Sequence, residues 1–488
     1  MANLSQIKHV IVVMLENRSF DNMLGWLYPD GAPQPSQFLP GTNSAPFKGL
    51  NPALWNPSNE GYFDGAPPVK IQISTSAPNT TTPGGHPEEQ YQYVSEQIYG
   101  TEQPNEHPAF PMMGFVVNYQ KKVSSAQSVQ IMQPFSVEQI PVLSGLAKSY
   151  AVSDSWFCSV PSQTWANRSF VHAGTSNGNV DNGLLPNPLD WNVSTIFNVL
   201  SEMGIAWNVY ADTEITPSLT RTMFPKLWPG DFDQNFKNFE DFQADCKAGS
   251  LPAYSFVEPS FVDKPNDQHP PHDIAAGEQF LLSIWEAVSQ SPAWNETLLI
   301  ITYDEHGGTY DHVLPPWGAT CPDDQSDPGR EGFTFNRFGV RVPMVVVSPW
   351  IQEGTVFRTD TDVPYDHTSI LATLRDWLNI PAEKMLPSKR IPDAPTLAQL
   401  LTLRSARTDM PDISAAATGM LTALKERIVE AIEDPAMNDL QASLVSGTAV
   451  RLQQNPAIVR NKVRTRNDAK EFFRGHRMGL DILPFLKD

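Results

Sequence analysis

Nearly uninterrupted runs of aliphatic and β-branched residues recur at 7–15, 206–210, 298–303 and 343–348, each leaving into polar or Gly/Pro-rich sequence. Runs of this length without alternation mark strands covered on both faces, as in parallel sheets. Between them the spacing becomes that of helices: 194–203 stopped by Gly204, 277–289 stopped before Pro292, and 368–378. Strand and helix in alternation predict an α/β fold, a mainly parallel central sheet with helices on both faces. Ligands of such sheets gather beyond the carboxyl ends of the strands, and acidic residues follow two of these runs.

Residues 28–104 depart from the pattern. They are rich in Pro, Gly, Asn and Ser with little periodicity, which predicts a long excursion folded over the site; Trp55, Tyr62 and Phe63 favour packing over an unattached surface insert. No linker, charge block or repeat precedes residue 400, so a catalytic domain is expected over 1–405, followed by a helical, basic C-terminal appendage over 406–488. Helix-like sequence runs from 413 to 432. Residues 451–488 then carry nine Lys/Arg against four Asp/Glu, which is +5 on a chain of net charge −20. An acidic body with a basic amphipathic tail predicts docking of the tail on an acidic surface, within the chain or across a homo-oligomer, where it would restrict access to the site.

The net charge excludes a general nucleic-acid binder and a protein held on anionic lipid by its overall charge. Cys158, Cys246 and Cys321 are too few and scattered for a disulfide framework or a thiolate zinc site. The N-terminal segment shows no Sec signal, so the protein is expected to be cytoplasmic as synthesised, with export open only to a signal-independent injection system.

The first aliphatic run ends in Glu16-Asn17-Arg18-Ser19-Phe20-Asp21 and the run at 298–303 in Asp304-Glu305-His306-Gly307-Gly308. Neighbouring residues on a strand point to opposite faces, so an adjacent pair converges on one ion only where the strand breaks, and the two glycines supply a break. Either pair alone reads as a capping or surface feature. Together, at two strand ends, they read as a metal site. Thr164 is followed at three and four residues by Asn167 and Arg168, which return to its side if Thr164 opens a helix. Its hydroxyl could then bind the metal and act as a nucleophile, with Asn167, Arg168 and the helix N-terminus steadying developing negative charge. On the local sequence alone, Thr164 as a mere N-cap and Arg168 as a surface ion-pair former is the stronger reading. Histidines for proton transfer lie nearby in loops: His86, His269, His272, His312 and His367.

These residues resemble a bacterial phosphoesterase family that includes phosphocholine-hydrolysing phospholipases C and a broad-specificity acid phosphatase. The segment from Val12 to Asp21 is the strongest element, supported in order by 83–89, 113–116, 141–156, 266–278, 302–313, 341–350 and 366–371. The resemblance implies an alkaline-phosphatase-like fold and a metal bound by Glu16, Asn17, Thr164, Asp304 and Glu305. It implies a phospho-threonine intermediate on Thr164, phosphate binding by Asn167 and Arg168, and active-site roles for His86, His269 and His312, with His269 as proton donor. Two departures stand out: Ser162-Gln163 and Trp165-Ala166 replace the usual Gly-Pro and Asn-Pro-Asn surroundings of the nucleophile, and His306 follows Glu305 where relatives carry Asn. An all-oxygen ligand set favours Ca²⁺ or Mg²⁺ and leaves Zn²⁺ open.

Three readings follow. The first is a phospholipase C acting on phospholipid, with phosphatidylcholine as one substrate and transient contact with the membrane surface. The second is an acid phosphatase acting on small phosphate esters, and the third a catalytically inactive lipid- or partner-binding scaffold, which the intact ligand set opposes. Trp156, Phe157, Trp165, Trp317 and Trp350 are candidates for an aromatic box around a quaternary ammonium, with ordinary core packing as the alternative.

Overall fold

The computed structural model describes residues 4–41, 45–183, 186–213, 215–419 and 436–482, the side chains of 477–482 excepted. Nine strands form the central sheet: β1 (His9–Leu15), β2 (Gln37–Leu39), β3 (Ala151–Ser153), β4 (Trp207–Ala211), β5 (Phe236–Asn238), β6 (Tyr254–Glu258), β7 (Thr297–Tyr303), β8 (Met344–Val347) and β9 (Thr355–Phe357), in the order β2-β9-β3-β8-β7-β1-β6-β4-β5. All pairings are parallel except those of β8, which runs against both β7 and β3. The loop leaving β7 stays at the carboxyl end of the sheet, so β8 enters from that end with Met344 opposite Thr302.

Every residue of β7, and β1 from Val10 onward, is buried. Side chains alternate between faces along a strand, so both faces of the sheet are covered. The three sequence-predicted helices are present at Ile196–Glu202, Ile274–Ser289 and Thr368–Leu378. Another helix, Pro141–Ser149, is capped from outside: the buried Glu278 carboxylate accepts from Val142 N at 2.6 Å and Leu143 N at 3.3 Å.

The excursion is packed. It contains a small antiparallel hairpin, Trp55–Pro57 with Lys70–Gln72, and a helix, Tyr91–Tyr99. Trp26, Leu50, Ile73, Val94, Ile98 and Phe115 build a second apolar core beneath it. Arg18 straps it to the sheet, donating to Thr82 O at 2.5 Å and to Gln268 O at 2.7 Å. At the other end of the chain, 413–419 is helical, whereas the rest of the helix predicted to 432 falls outside the described residues. The helices Asp439–Arg451, Pro456–Lys462 and Arg466–Ile482 follow. Leu440, Leu444, Val459, Val463, Phe472 and Phe473 join the main core, and Lys470 Nζ lies 3.1 Å from Asp263. Of the two dockings foreseen for the tail, the one on its own chain is present. Among the described residues no helix is long and apolar enough to cross a membrane.

Candidate active site

Pairing of Leu15 with Tyr303 brings Glu16 and Asp304 out of neighbouring parallel strands at the same level. Asn17 turns the chain away with a left-handed backbone (φ 53°), and its N–H donates to Asp304 Oδ1 at 3.0 Å. Gly307 closes the opposite turn. At φ 62° a side chain there would be strained, and a Cβ would stand 2.0 Å from Asn17 O, so the two strand-end loops can touch only because this residue has none. Its N–H donates to Glu305 Oε2 at 2.7 Å.

Thr164 is the first residue of the helix Thr164–Ala173, as the spacing foresaw. It is buried, and its hydroxyl reaches Glu16 Oε2 at 3.2 Å and Asn17 Oδ1 at 3.4 Å. Arg168, one turn on, is wholly buried rather than a surface ion-pair former. Its Nε donates to Glu16 Oε1 at 2.8 Å, Nη2 bonds the same oxygen and also Met14 O, and Nη1 has no partner. Asn167 departs from its expected phosphate-facing place. Its Oδ1 accepts from Val160 N and its Nδ2 donates to Val160 O, Ser162 O and Gln163 O, so the amide is consumed in shaping the loop before the nucleophile helix.

The histidines fall into separate groups. His269, on the loop after β6, bonds Pro270 O through Nδ1 at 2.6 Å. A carbonyl only accepts, so Nδ1 carries the proton and Nε2, 3.7 Å from Glu89 Oε1 and without a hydrogen-bond partner, presents a lone pair. Burial, then His86 and His272, push its pKa well below the usual histidine value. His86 is the opposite case: burial works against its charge, but Glu89 and Asp439 outweigh it and lift the pKa to about 10. His312 is a quarter-turn apart in role: its ring Nδ1 and its backbone N–H both meet Asp21 Oδ2, at 2.6 and 2.8 Å, and burial of the ring is outweighed by that carboxylate, which raises its pKa. Asp21 in turn bonds the buried Arg341 at 2.9 Å, which also binds Asp311 at 3.0 Å and the carbonyls of Lys48 and Asp154. His306 Nε2 meets Gln97 Oε1 at 2.8 Å and its Nδ1 lies 3.2 Å from Glu305 Oε2; burial lowers its pKa to about 3. His367 Nε2 donates to Asp304 O at 2.6 Å, holding the turn that carries Asp304 and Glu305. His272 Nδ1 meets Asp267 Oδ1 at 2.6 Å.

Burial, reinforced by neighbouring carboxylates, raises the pKa of Glu16 and Glu305, and burial raises that of Glu89 against the pull of His86. Asp304 Oδ2, Glu305 Oε1 and Glu89 Oε1 are buried acceptors without hydrogen-bond partners. Buried acceptors are normally satisfied, so this concentration of unbonded oxygen fits a divalent cation. Glu16 and Asp304 are linked through Asn17 and Thr164, while Glu305 accepts from Gly307 N and lies 3.2 Å from His306 Nδ1. Among the described residues, tighter trios with ligand atoms within 4.8 Å of one another are His86/Glu89/His269 and Asp21/Asp311/His312. In the second trio Arg341 already supplies the positive charge.

Two residues that the sequence reading did not single out belong to the site. Glu89, from the excursion, lies between His86 and His269, and Asp439 reaches His86 from the C-terminal segment. Glu89 follows His86 by three residues in a Pro/Gly-rich stretch, a weak local signal; Asp439 had none. The foreseen aromatic box does not assemble. Trp156 stacks on Tyr365, Trp165 meets Trp191, Trp317 lies by Tyr99 and Arg337, and Trp350 Nε1 donates to Asn295 O.

Residues 7–381 match the description "Phosphoesterase family". The chain belongs to that family. This phosphoesterase, a hydrolase of phosphoric esters, is 34% identical over 467 residues to non-specific phospholipase C3 of Arabidopsis thaliana, covering 91% of this chain and 82% of that protein. It is 26% identical over 432 residues to phospholipase C A of Mycobacterium tuberculosis, covering 78% of this chain and 75% of that one. The likeness therefore extends beyond bacterial proteins. Among solved structures, the phosphoesterase aligns with an alkaline phosphatase superfamily protein from Vibrio parahaemolyticus at 14% identity and a TM-score of 0.33, over 53% of this chain and 65% of that one.

Proposed function

We propose that this phosphoesterase cleaves phospholipid head groups at the glycerol side, as a phospholipase C does, through a phospho-threonine on Thr164. The carrying observation is the Thr164 hydroxyl, buried at a helix N-terminus and bonded to Glu16 and Asn17 beside carboxylates that lack partners. The names of the plant and mycobacterial relatives support a phospholipase C reaction.

The Thr164 oxygen attacks phosphorus while its proton leaves towards Glu16 Oε2. The bond from phosphorus to the diacylglycerol oxygen breaks, and that oxygen takes a proton from the His86/Glu89/His269 cluster, where His86 holds one through neutral pH. Water then attacks the phospho-threonine and gives a proton to the unprotonated His269 Nε2, restoring the one the cluster gave up; the bond from phosphorus to the Thr164 oxygen breaks, that oxygen takes back the proton held by Glu16, and the phosphorylated head group leaves. Arg168 Nη1, buried and unbonded, and the helix N-terminus are the donors that steady the phosphoryl oxygens. In this arrangement Asn167 shapes the loop, and His312 is held by Asp21 apart from the Thr164 cluster. A divalent cation held by Glu16, Asn17, Thr164, Asp304 and Glu305 would favour the threonine alkoxide and offset phosphoryl charge; the oxygen set suits Ca²⁺ or Mg²⁺ better than Zn²⁺.

The test is turnover of phosphatidylcholine, phosphatidylethanolamine and p-nitrophenyl phosphate, before and after chelation and on return of each metal. Lipid turnover that chelation removes and metal restores is expected. Equal turnover of the soluble monoester would move the assignment to an acid phosphatase. No turnover of any substrate would leave an inactive scaffold.

A further inference from the structure

The residues matched by the family end at 381, yet one side chain beyond that point enters the active site. Asp439 is the first residue of the helix Asp439–Arg451, whose N-cap Asn438 forms a capping box with Gln441 and so fixes where the helix begins. Leu440 and Leu444 anchor its inner face in the main core, and Gln441 Nε2 donates to Phe261 O at 2.8 Å on the loop that leads to His269. The position of Asp439 is therefore set by the fold. The carboxylate itself is 43% exposed.

A single oxygen, Asp439 Oδ2, meets three partners. His86 Nε2 lies 3.5 Å away, Gln90 Nε2 donates at 3.1 Å and Gln163 Nε2 at 3.4 Å. His86 and Gln90 come from the excursion. Gln163 is the N-cap of the nucleophile helix, immediately before Thr164, and its other amide atom accepts from Asn182 N at 3.0 Å. Two segments far apart in sequence thus converge on one carboxylate supplied by a third. The opposite ring nitrogen of His86, Nδ1, lies 3.3 Å from Glu89 Oε1, so the imidazole sits between two carboxylates at ion-pair distance.

We propose that Asp439 is a positioning residue of the phosphoesterase site: through Oδ2 it holds the His86 ring against Glu89 and seats Gln163 at the start of the nucleophile helix, so the C-terminal segment completes the site. This rests on the reading of His86 as a member of the proton-transfer cluster. To the expectation that the tail docks and also restricts access, it adds a contribution of the tail to turnover.

The experiment is a double-mutant cycle in the full chain, using Asp439→Ala, His86→Ala and the pair, with kcat and KM measured on phosphatidylcholine vesicles and on p-nitrophenyl phosphorylcholine, and melting temperatures alongside. Loss of an outer-shell carboxylate that orients a histidine typically lowers activity about 10- to 100-fold in metal sites, which sets the scale here. A fall of that size in kcat is expected for Asp439→Ala on both substrates at unchanged melting temperature, with a clearly smaller fall when it is added to His86→Ala, where of the two positioning contacts only that with Gln163 remains to be lost. Asp439→Asn, which keeps an acceptor oxygen of the same shape, should recover part of the loss. Unchanged activity in Asp439→Ala would overturn the proposal, as would equal losses in the presence and absence of His86, or a loss that tracks a falling melting temperature. If His86→Ala alone is fully active, the reading of the site fails; in that case a loss in Asp439→Ala would have to act elsewhere, which also overturns the positioning role.

Discussion

Arg341→Met offers a clean measure of how the site wall is held, because the residue bonds Asp21 and Asp311 and none of Glu16, Asn17, Thr164, Asp304 and Glu305. The wild-type guanidinium is fully buried between Asp21 and Asp311 and bonds two backbone carbonyls. Burial raises the Asp311 pKa to about 6 even though Arg341 opposes the shift. Without Arg341 the carboxyl must stay protonated or sit charged and unpaired. Keeping a proton at pH 7.5 on a group whose unfolded value is 3.8 costs about 5 kcal/mol, of which the wild type, at about 6, already bears about 3, so loss of Arg341 adds up to about 2 kcal/mol through this proton, at about 1.36 kcal/mol per unit. Breaking a buried ion pair by removing one partner typically costs about 3–5 kcal/mol in all, the remainder being the hydrogen bonds that Arg341 makes to Asp21 and to two carbonyls. At about 2.1 cal/mol/K of unfolding entropy per residue, 488 residues give about 1 kcal/mol per degree, so a fall of about 3–5 °C is expected in the melting temperature at pH 7.5. The sign follows from the raised pKa: the protonated folded form is favoured below the unfolded value, and that advantage is lost as pH rises through about 6. At pH 5 the wild-type carboxyl is itself protonated, so this part of the loss vanishes and the defect shrinks by about 2 kcal/mol. Differential scanning calorimetry at the two pH values is the assay, with Asp311→Asn added to Arg341→Met to relieve most of the defect. A loss that is equal at both pH values, or that the second substitution leaves untouched, would refute the argument.

Thr164→Ala should lower turnover by several orders of magnitude with the melting temperature preserved, and Thr164→Ser should keep part of it; near-normal rates in the alanine variant would remove the nucleophile assignment. The raised pKa values of Glu16, Glu89 and Glu305 mean that the chelated protein loses stability as pH rises above about 4.5, so saturating Ca²⁺ or Mg²⁺ should raise its melting temperature by about 2–3 °C at pH 7.5 and less at pH 5. A shift independent of pH would count against binding at these carboxylates. His86, with its pKa raised to about 10, contributes stability that is complete below 6.5 and is lost as pH rises through 10; His86→Gln should flatten the melting-temperature profile across that window, and an unchanged slope would contradict the pairing with Glu89.

Strands β1 and β7 were legible because both their faces are buried, which leaves no polar position to interrupt the run. β6 was missed: Tyr254-Ser255-Phe256-Val257-Glu258 mixes polar residues into a buried strand, because Ser255 and Glu258 find partners or close packing inside the fold, Glu258 by accepting from Thr220. β3 and β9 have three residues each, too few to show a period. Site residues at the ends of the long strands could be read for the same reason as the strands themselves. Asp439 could not, because it reaches His86 only through the packing of a distant helix, and the amide of Asn167 proved to face its own loop, a choice between bonding partners that spacing does not encode.

The hairpin of the excursion has a practical use. Residues 64–70, which include the connection into its second strand, are all exposed, with Val69 57% exposed, while Arg18 clamps the excursion to the sheet at Thr82. The turn is thus mechanically insulated from the chemistry it belongs to. Added chain at an exposed turn is entropically inexpensive, about 0.6 kcal/mol for each doubling of loop length. A fluorescent protein or an affinity module inserted between Pro67 and Pro68 should fold as a passenger, giving a reporter-tagged enzyme with both termini left free.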